Sequence, residues 1–202
     1  MEAIILAAGY SSRASDYKMT LKLGTKTVLE HTLSKFEGIC ERVIVVSGFQ
    51  RDRIHEATLA MQKDNTYDMD IVCVYNPSFD QGMFSSVQRG CIEVESSQFF
   101  ITPGDCPLVE KETIRRLASE EGIVVIPSYS MKGGHPIKLA SELKTRIVEA
   151  KADHTLRGIL QPYEKKFLNI EDPGILMDLD TPEDFRKATE YYNNYSRTDN
   201  QR

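Results

Sequence analysis

The chain has 202 residues, a length that suits one domain with a substantial core. Apolar residues are 41% and charged residues 27%, which excludes a disordered or membrane-embedded composition, and no apolar run is long enough to cross a bilayer. A net charge of -5 excludes a general nucleic-acid binder, whose affinity rests on a basic surface, but leaves room for a local basic pocket.

The chain opens on MEAIILAAGYSSRASDYK, Met1 to Lys18, in which Ile4-Ile5-Leu6-Ala7-Ala8 reads as a fully buried strand bounded by turn-forming residues. Glu2 stands where a signal peptide would carry positive charge, so export is not expected. The four cysteines, Cys40, Cys73, Cys91 and Cys106, form no CxxC pair, and reduced thiols in a cytoplasm are the simplest account. Beyond the turn-like Leu21 to Lys26, the residues Val28, Leu29, Leu33 and Phe36 recur at helical spacing until Gly38. Arg42 to Gly48 is a second β-branched run, and Arg51 to Lys63 reads as a helix burying Ile54, Leu59 and Met61. Asp70 to Tyr75 is a third strand, stopped by Asn76-Pro77, and the helix beginning near Gly82 carries Met83, Val87 and Cys91. Phe99 to Thr102 is a fourth strand, broken by Pro103-Gly104. A helix with Ile114 and Leu117 leads to a fifth strand, Ile123 to Ile126, ended by Pro127.

His135 to Leu139 reads as a further short strand, Ser141 to Glu149 and His154 to Gln161 as helices, and Phe167 to Ile170 and Ile175 to Leu179 as late strands. Pro182 opens a terminal helix through about Tyr192. Alternating apolar strands and amphipathic helices predict an α/β sandwich, a mostly parallel sheet with helices on both faces, as a single domain over residues 1–192. Residues 193–202 are polar without apolar periodicity and are expected to form a frayed tail.

In open α/β sheets ligands bind beyond the carboxyl ends of the strands, and the unusual loops of this chain fall there. Gly9 lets the backbone come close to a ligand, Ser11 and Ser12 add hydroxyls, Arg13 can fork onto phosphate oxygens and Lys18 supplies a point charge. These are the donors that a triphosphate needs, although a Gly/Ser loop with a cation is as often a plain solvated turn. Pro103-Gly104-Asp105-Cys106-Pro107 fixes a carboxylate in a rigid turn after a strand, which is what Mg²⁺ on a nucleotide requires. Capping the helix near Glu110 is its other use. Asp178 and Asp180 offer a second carboxylate position, or with Thr181-Pro182-Glu183-Asp184 an ordinary helix start. Ser85 and Ser86 fall at a helix start, where free N–H groups favour an anion and where serines also serve as caps. Gly9 stands without a GxGxxG run, so the dinucleotide fingerprint is absent.

LAAGYSSR with Lys18, NPSFDQGMFSSV, PGDCPLV, GGHPIKL and MDLDTPEDF follow one another from Leu6 to Phe185 and cover nearly the whole chain. Together they resemble the ordered motifs of the MobA-like nucleotidyltransferases. Ala8, in a loop that reads LAAG where guanylyltransferases read LAGG, is similar to the molybdenum cofactor cytidylyltransferase branch. The resemblance implies a Rossmann-like three-layer sandwich of the nucleotide-diphospho-sugar transferase type. It also implies transfer of CMP from CTP, or of another NTP's nucleotidyl group, to the terminal phosphate of a molybdopterin-type cofactor, with Mg²⁺ as cofactor and pyrophosphate released.

On the same resemblance Arg13, Lys18 and Asp105 would be catalytic, with Arg13 and Lys18 holding the leaving phosphates. Leu6, Ala7, Ala8, Gly9, Ser11, Ser12, Ser85, Ser86 and Gly104 would lie with them around the nucleotide. Asp105 and Asp180 would hold the metal, and Gly134, His135 and Pro136 would meet the acceptor. The implied partners are the nucleotide, the phosphorylated acceptor and a molybdenum hydroxylase as recipient, in the cytoplasm, with no nucleic acid and no membrane. A sugar or alditol phosphate is the alternative acceptor. A non-catalytic module that binds and delivers a nucleotide or cofactor is the alternative class. Two stretches depart from the family pattern: Ala14-Ser15, where Met-Gly is usual, and Ala152 to Arg157, where a GDxGAR-like stretch keeps only Asp153 and Arg157.

Overall fold

A computed structural model of the protein describes residues 1–10, 17–63 and 67–199. Its strands in chain order are β1 (Glu2–Ala7), β2 (Lys22–Leu23), β3 (Lys26–Thr27), β4 (Arg42–Ser47), β5 (Asp70–Tyr75), β6 (Gln98–Pro103), β7 (Val124–Tyr129), β8 (Lys132–Gly133), β9 (Ile137–Ala140) and β10 (Lys165–Asn169). The helices are α1 (Val28–Ser34), α2 (Arg51–Lys63), α3 (Met83–Glu93), α4 (Lys111–Ser119), α5 (Glu142–Val148), α6 (Leu156–Ile159) and α7 (Pro182–Asp199).

Every residue of β1 is buried, because the strand has a parallel neighbour on each side, β4 and β6, and helices above and below. The alternation of a strand divides its side chains between two cores. Ala3, Ile5 and Ala7 pack with Leu33 of α1, Ile54 of α2 and Ile114 of α4 on one face. Ile4 and Leu6 pack with Val87 of α3 and Ile147 of α5 on the other. Two cores on opposite faces of one sheet make the three-layer α/β sandwich. A smaller cluster, Leu23, Val28, Leu108, Leu179 and Ala188, seats the β2–β3 hairpin and α7. Thr27 opens α1 with a capping box, its hydroxyl accepting from Glu30 N–H at 3.2 Å while the Glu30 carboxylate accepts from Thr27 N–H at 2.5 Å.

The sheet order is β10-β7-β9-β6-β1-β4-β5, with β8 paired to β7. All neighbours on this path are parallel except β9, which runs antiparallel to both β6 and β7. The connection from β7 to β9 is too short for a crossover helix, so β9 can return only in the reverse direction. From β1 the chain moves outward to β4 and β5, then returns to β6 on the other side of β1. The order reverses there, and that is where an open sheet leaves a crevice.

Four local expectations are corrected. Pro127 lies within β7 rather than ending it, in the gap between the residues paired with β9 and those paired with β8, where no ladder donor is needed. Ile175 to Leu179 forms no strand: Pro173 starts a tight helical turn, Pro173–Leu176, after which the chain runs to the site without joining the sheet. Leu59, read as a buried helix position, is 36% exposed, and Met83, read as part of the helix beginning near Gly82, is 66% exposed. The terminal helix continues to Asp199 instead of stopping near Tyr192, since no glycine or proline follows to end it. No helix among the described residues is long and apolar enough to cross a membrane.

Candidate active site

The loops after β1, β4, β5 and β6 meet at the crevice. Phe49 N–H, just past β4, donates to the Ala8 carbonyl at 3.1 Å, and Gly104 N–H, just past β6, donates to the Leu6 carbonyl at 2.9 Å. Thr32 of α1 closes the second loop from below, its hydroxyl donating to the Gly104 carbonyl at 2.9 Å. A Cβ at Gly104 would lie 3.0 Å from Met19 Sδ and 3.1 Å from the Leu6 carbonyl, so glycine is what lets this loop lie against β1. Asp105 follows, fixed and 6% exposed.

Lys18 belongs to a short helical turn, Lys18–Thr20, whose flanking side chains Tyr17 and Met19 are buried. The Tyr17 hydroxyl donates to the Ala7 carbonyl at 2.8 Å. This anchoring turns the Lys18 side chain toward the carboxylates, where its ammonium donates to Asp105 Oδ2 and, at 3.0 Å, to Asp180 Oδ1. Burial by itself would lower the Lys18 pKa, but the charge of Asp105, helped by Asp180, outweighs it and holds the ammonium above the usual lysine value. The Asp178 carboxyl is raised as well, by burial and by the nearby charges of Asp180 and Asp105. Two hard oxygen donors from separate loops, bridged by one ammonium, are a donor set that fits Mg²⁺, which takes one or two protein carboxylates together with phosphate oxygens and water. Among the described residues no group of three or more His, Cys, Asp or Glu is placed to hold a metal ion.

Asp180 reaches Asp105 through a staple that sequence reading missed. Asp172, 1% exposed, accepts from Glu110 N–H at 2.9 Å, the Thr113 hydroxyl at 2.7 Å and Gly174 N–H at 2.8 Å. It thereby ties the segment leading to Asp180 onto the start of α4, directly after the Asp105 loop. A Cβ at Gly174 would run into the Leu108 carbonyl, and Leu179 N–H donates to the Asp105 carbonyl at 3.2 Å. The visible signal was Asp-Pro-Gly, an ordinary turn signature.

Leu6, Ala8, Gly9, Lys18, Ser86 and Asp105 line one cavity of about 320 Å³. Tyr10, Phe79, Asp80 and Met83 complete its wall, and sequence reading had not singled them out for the site. Tyr10 stacks near Phe49 and Phe79, with ring centroids 5.1 and 5.3 Å away. Ala7 has no exposed surface and packs into the core instead of lining the cavity. Gly104 shapes the wall from behind. Ser11, Ser12 and Arg13, with Ala14-Ser15, lie outside the described residues. Ser85 and Ser86 do not cap α3, whose N-cap is Gly82. Asn76 Nδ2 donates to both hydroxyls, at 2.9 and 3.0 Å, while its Oδ1 accepts from Ser78 N–H at 3.0 Å, so Asn76 ties the loop after β5 to the first turn of α3. In sequence Asn76 was legible as a strand stop before proline and as the first residue of NPSFDQGMFSSV, without a role of its own.

A second cavity of about 520 Å³ adjoins the first and shares Leu6, Gly82, Met83 and Pro103 with it. Its other side is the stretch Ala152 to Arg157, together with His135. Among the described residues none hydrogen-bonds His135 Nδ1, which is buried. Burial lowers the His135 pKa despite the opposing charges of Asp105 and Asp178, which favours the neutral ring. Gly134 and Pro136 are buried behind it, and a Cβ at Gly134 would run into the Ile175 carbonyl. Of the three expected acceptor residues, only His135 lines the cavity.

The family model described as the MobA-like NTP transferase domain matches residues 3–167. The chain belongs to this family. It is 29% identical over 194 residues to the molybdenum cofactor cytidylyltransferase of Escherichia coli, covering 95% of this chain and 97% of that protein. A nucleotidyl transferase from Methanothermobacter superposes with a TM-score of 0.80 at 21% identity, covering 96% of this chain and 98% of that one. A Mycobacterium tuberculosis protein, solved in complex with manganese, superposes with a TM-score of 0.70 at 21% identity, covering 94% of this chain and 97% of that one. These structures share the fold. As a member of the MobA-like family the chain is a nucleotidyltransferase.

Proposed function

We propose that the protein transfers CMP from CTP to the terminal phosphate of a molybdopterin-type cofactor in a Mg²⁺-dependent reaction, and that a molybdenum hydroxylase receives the product. The observation that carries the chemistry is the pairing of Lys18 with Asp105 and Asp180 on the wall of the crevice. The cytidylyl and molybdenum cofactor assignments rest on the similarity to the Escherichia coli enzyme and on the LAAG loop.

In this reading the nucleotide lies against Ala8 and Gly9, and the acceptor fills the larger cavity with its phosphate toward the shared wall of Leu6 and Pro103. An acceptor phosphate oxygen attacks the α-phosphorus, the bond from that phosphorus to the bridging oxygen of the β-phosphate breaks, and pyrophosphate leaves with the electron pair. Lys18, with Arg13, neutralises the charge gathering on the leaving group. Asp105 and Asp180 would hold Mg²⁺, which when bound offsets phosphate charge and aligns the reacting groups. The neutral His135 ring offers its orphaned nitrogen to the acceptor as a hydrogen-bonding group. Most of the acceleration comes from positioning and charge neutralisation.

The purified protein, given CTP, Mg²⁺ and molybdenum cofactor, should release pyrophosphate, with GTP, ATP and UTP giving less. Release with a sugar or alditol phosphate and not with molybdenum cofactor would transfer the assignment to that acceptor class. No release with any pairing, beside an active control enzyme, would sink the reading. Asp105→Ala should lower turnover by at least about a hundredfold with the circular dichroism spectrum unchanged, an expectation scaled on the loss of one group that stabilises transition-state charge. Undiminished ligand delivery by that variant would instead favour a non-catalytic carrier.

A further inference from the structure

Lys18 stands where a divalent cation would stand. Its ammonium bridges Asp105 and Asp180, with the Lys18 and Asp105 side chains 15% and 9% exposed and Asp180 more open at 51%. A monovalent ammonium and a divalent metal cannot both sit between the same two carboxylates, because their repulsion at a few ångströms in a partly buried site would be large.

We propose that in the free protein Lys18 is the resident counter-ion of the carboxylate pair, and that a divalent metal enters only by exchange, as nucleotide phosphates take over the ammonium. The inference rests on the metal-dependent reading above and adds an order to it. The exchange is mechanically simple. The Lys18 backbone is held by buried Tyr17 and Met19, while its four-carbon stem is flexible and lines the same cavity as Gly9 and Tyr10. The ammonium can therefore leave the carboxylates for a triphosphate without moving the turn. Metal and nucleotide binding become positively coupled, since each removes an obstacle to the other. Metal alone should be held weakly, and idle carboxylates are shielded by an internal partner until substrate arrives.

The test is Mn²⁺ binding measured by electron paramagnetic resonance of the free ion, with and without CTP, on the wild type, Lys18→Met, Lys18→Gln and Lys18→Arg. Without CTP, Lys18→Met and Lys18→Gln should bind Mn²⁺ about tenfold or more tighter than wild type, within the usual range of coupling between sites. Lys18→Arg, which keeps the charge, should stay weak. Adding Asp105→Asn to Lys18→Gln should remove the gain, which locates the ion. CTP should tighten Mn²⁺ binding to wild type more than to Lys18→Gln. Equal or weaker Mn²⁺ binding by both neutral variants, with native circular dichroism and CTP-enhanced binding retained, overturns the exchange and leaves the metal-dependent reading standing. Absence of Mn²⁺ binding in every protein, with and without CTP, overturns both.

Discussion

Asp172 shows how much of the site depends on a side chain that touches no substrate. Its carboxylate satisfies two backbone donors and one hydroxyl on two segments, with almost no water to replace it. Asp172→Ala would take the acceptor away from the buried Thr113 hydroxyl and Gly174 N–H, each at a cost of about 1–3 kcal/mol. The melting temperature should fall. If the staple also aligns Asp180 with Asp105, the half-saturating metal concentration should rise with it, while a destabilising change elsewhere in the core would leave that concentration unmoved. At this scale the sequence was legible where chemistry names the residue. Lys18 and Asp105 were singled out because an ammonium and a rigid carboxylate suit a metal–phosphate site, and both line one cavity. The roles of Asp172, Asn76 and Tyr17 were not legible, because they lie in partners 59 to 62, 9 to 10 and 10 residues away, which spacing along the chain does not reveal.

The helix α3 carries the site because of how closely it lies on the sheet. Gly90 faces β1 and β4, and a Cβ there would come within 2.5 Å of Ile4 Cγ2 and 3.1 Å of Val46 Cγ2. Gly90→Ala should therefore push α3 outward and destabilise the protein by about 1–3 kcal/mol, the usual cost of overpacking, as measured by urea unfolding. If the shift reaches the first turn, where Met83 and Ser86 line the cavity, nucleotide affinity should fall as well. Elements with strong local signals were read closely. α2 occupies Arg51–Lys63 as its periodicity predicts, and β5 occupies Asp70–Tyr75. Ile175 to Leu179 was misread because apolar residues alone do not make a strand; a neighbouring strand must supply hydrogen bonds, and Pro173 had already committed the chain to a tight turn.

Across the whole molecule, β1 is both the centre of the sheet and the base of the site, and Glu2 secures its first residue. The Glu2 carboxylate is 4% exposed and accepts from Glu95 N–H at 2.6 Å, Ser96 N–H at 2.7 Å and Arg42 Nη1 at 3.2 Å. Burial would raise its pKa, but the backbone donors of Ser96 and Glu95, with Arg42, bring it below the usual glutamate value. A folded pKa below the unfolded one gives stability that is present above the unfolded value and lost as pH falls through the folded one. Glu2→Gln should thus be less stable than wild type at pH 7, and the difference should narrow in thermal melts taken progressively below the ordinary glutamate range. The amino-acid sequence by itself determined the α/β layering, the buried first strand and the family of the site, because hydrophobic periodicity and short motifs are local properties. Only the tertiary structure decided that β9 runs backwards, that Lys18 bridges two carboxylates 87 and 162 residues away, and that Ala152 to Arg157 walls a second cavity beside the first. Those facts depend on which strand ends and loops share an edge of the sheet, and the order of strands is settled by packing over the whole chain.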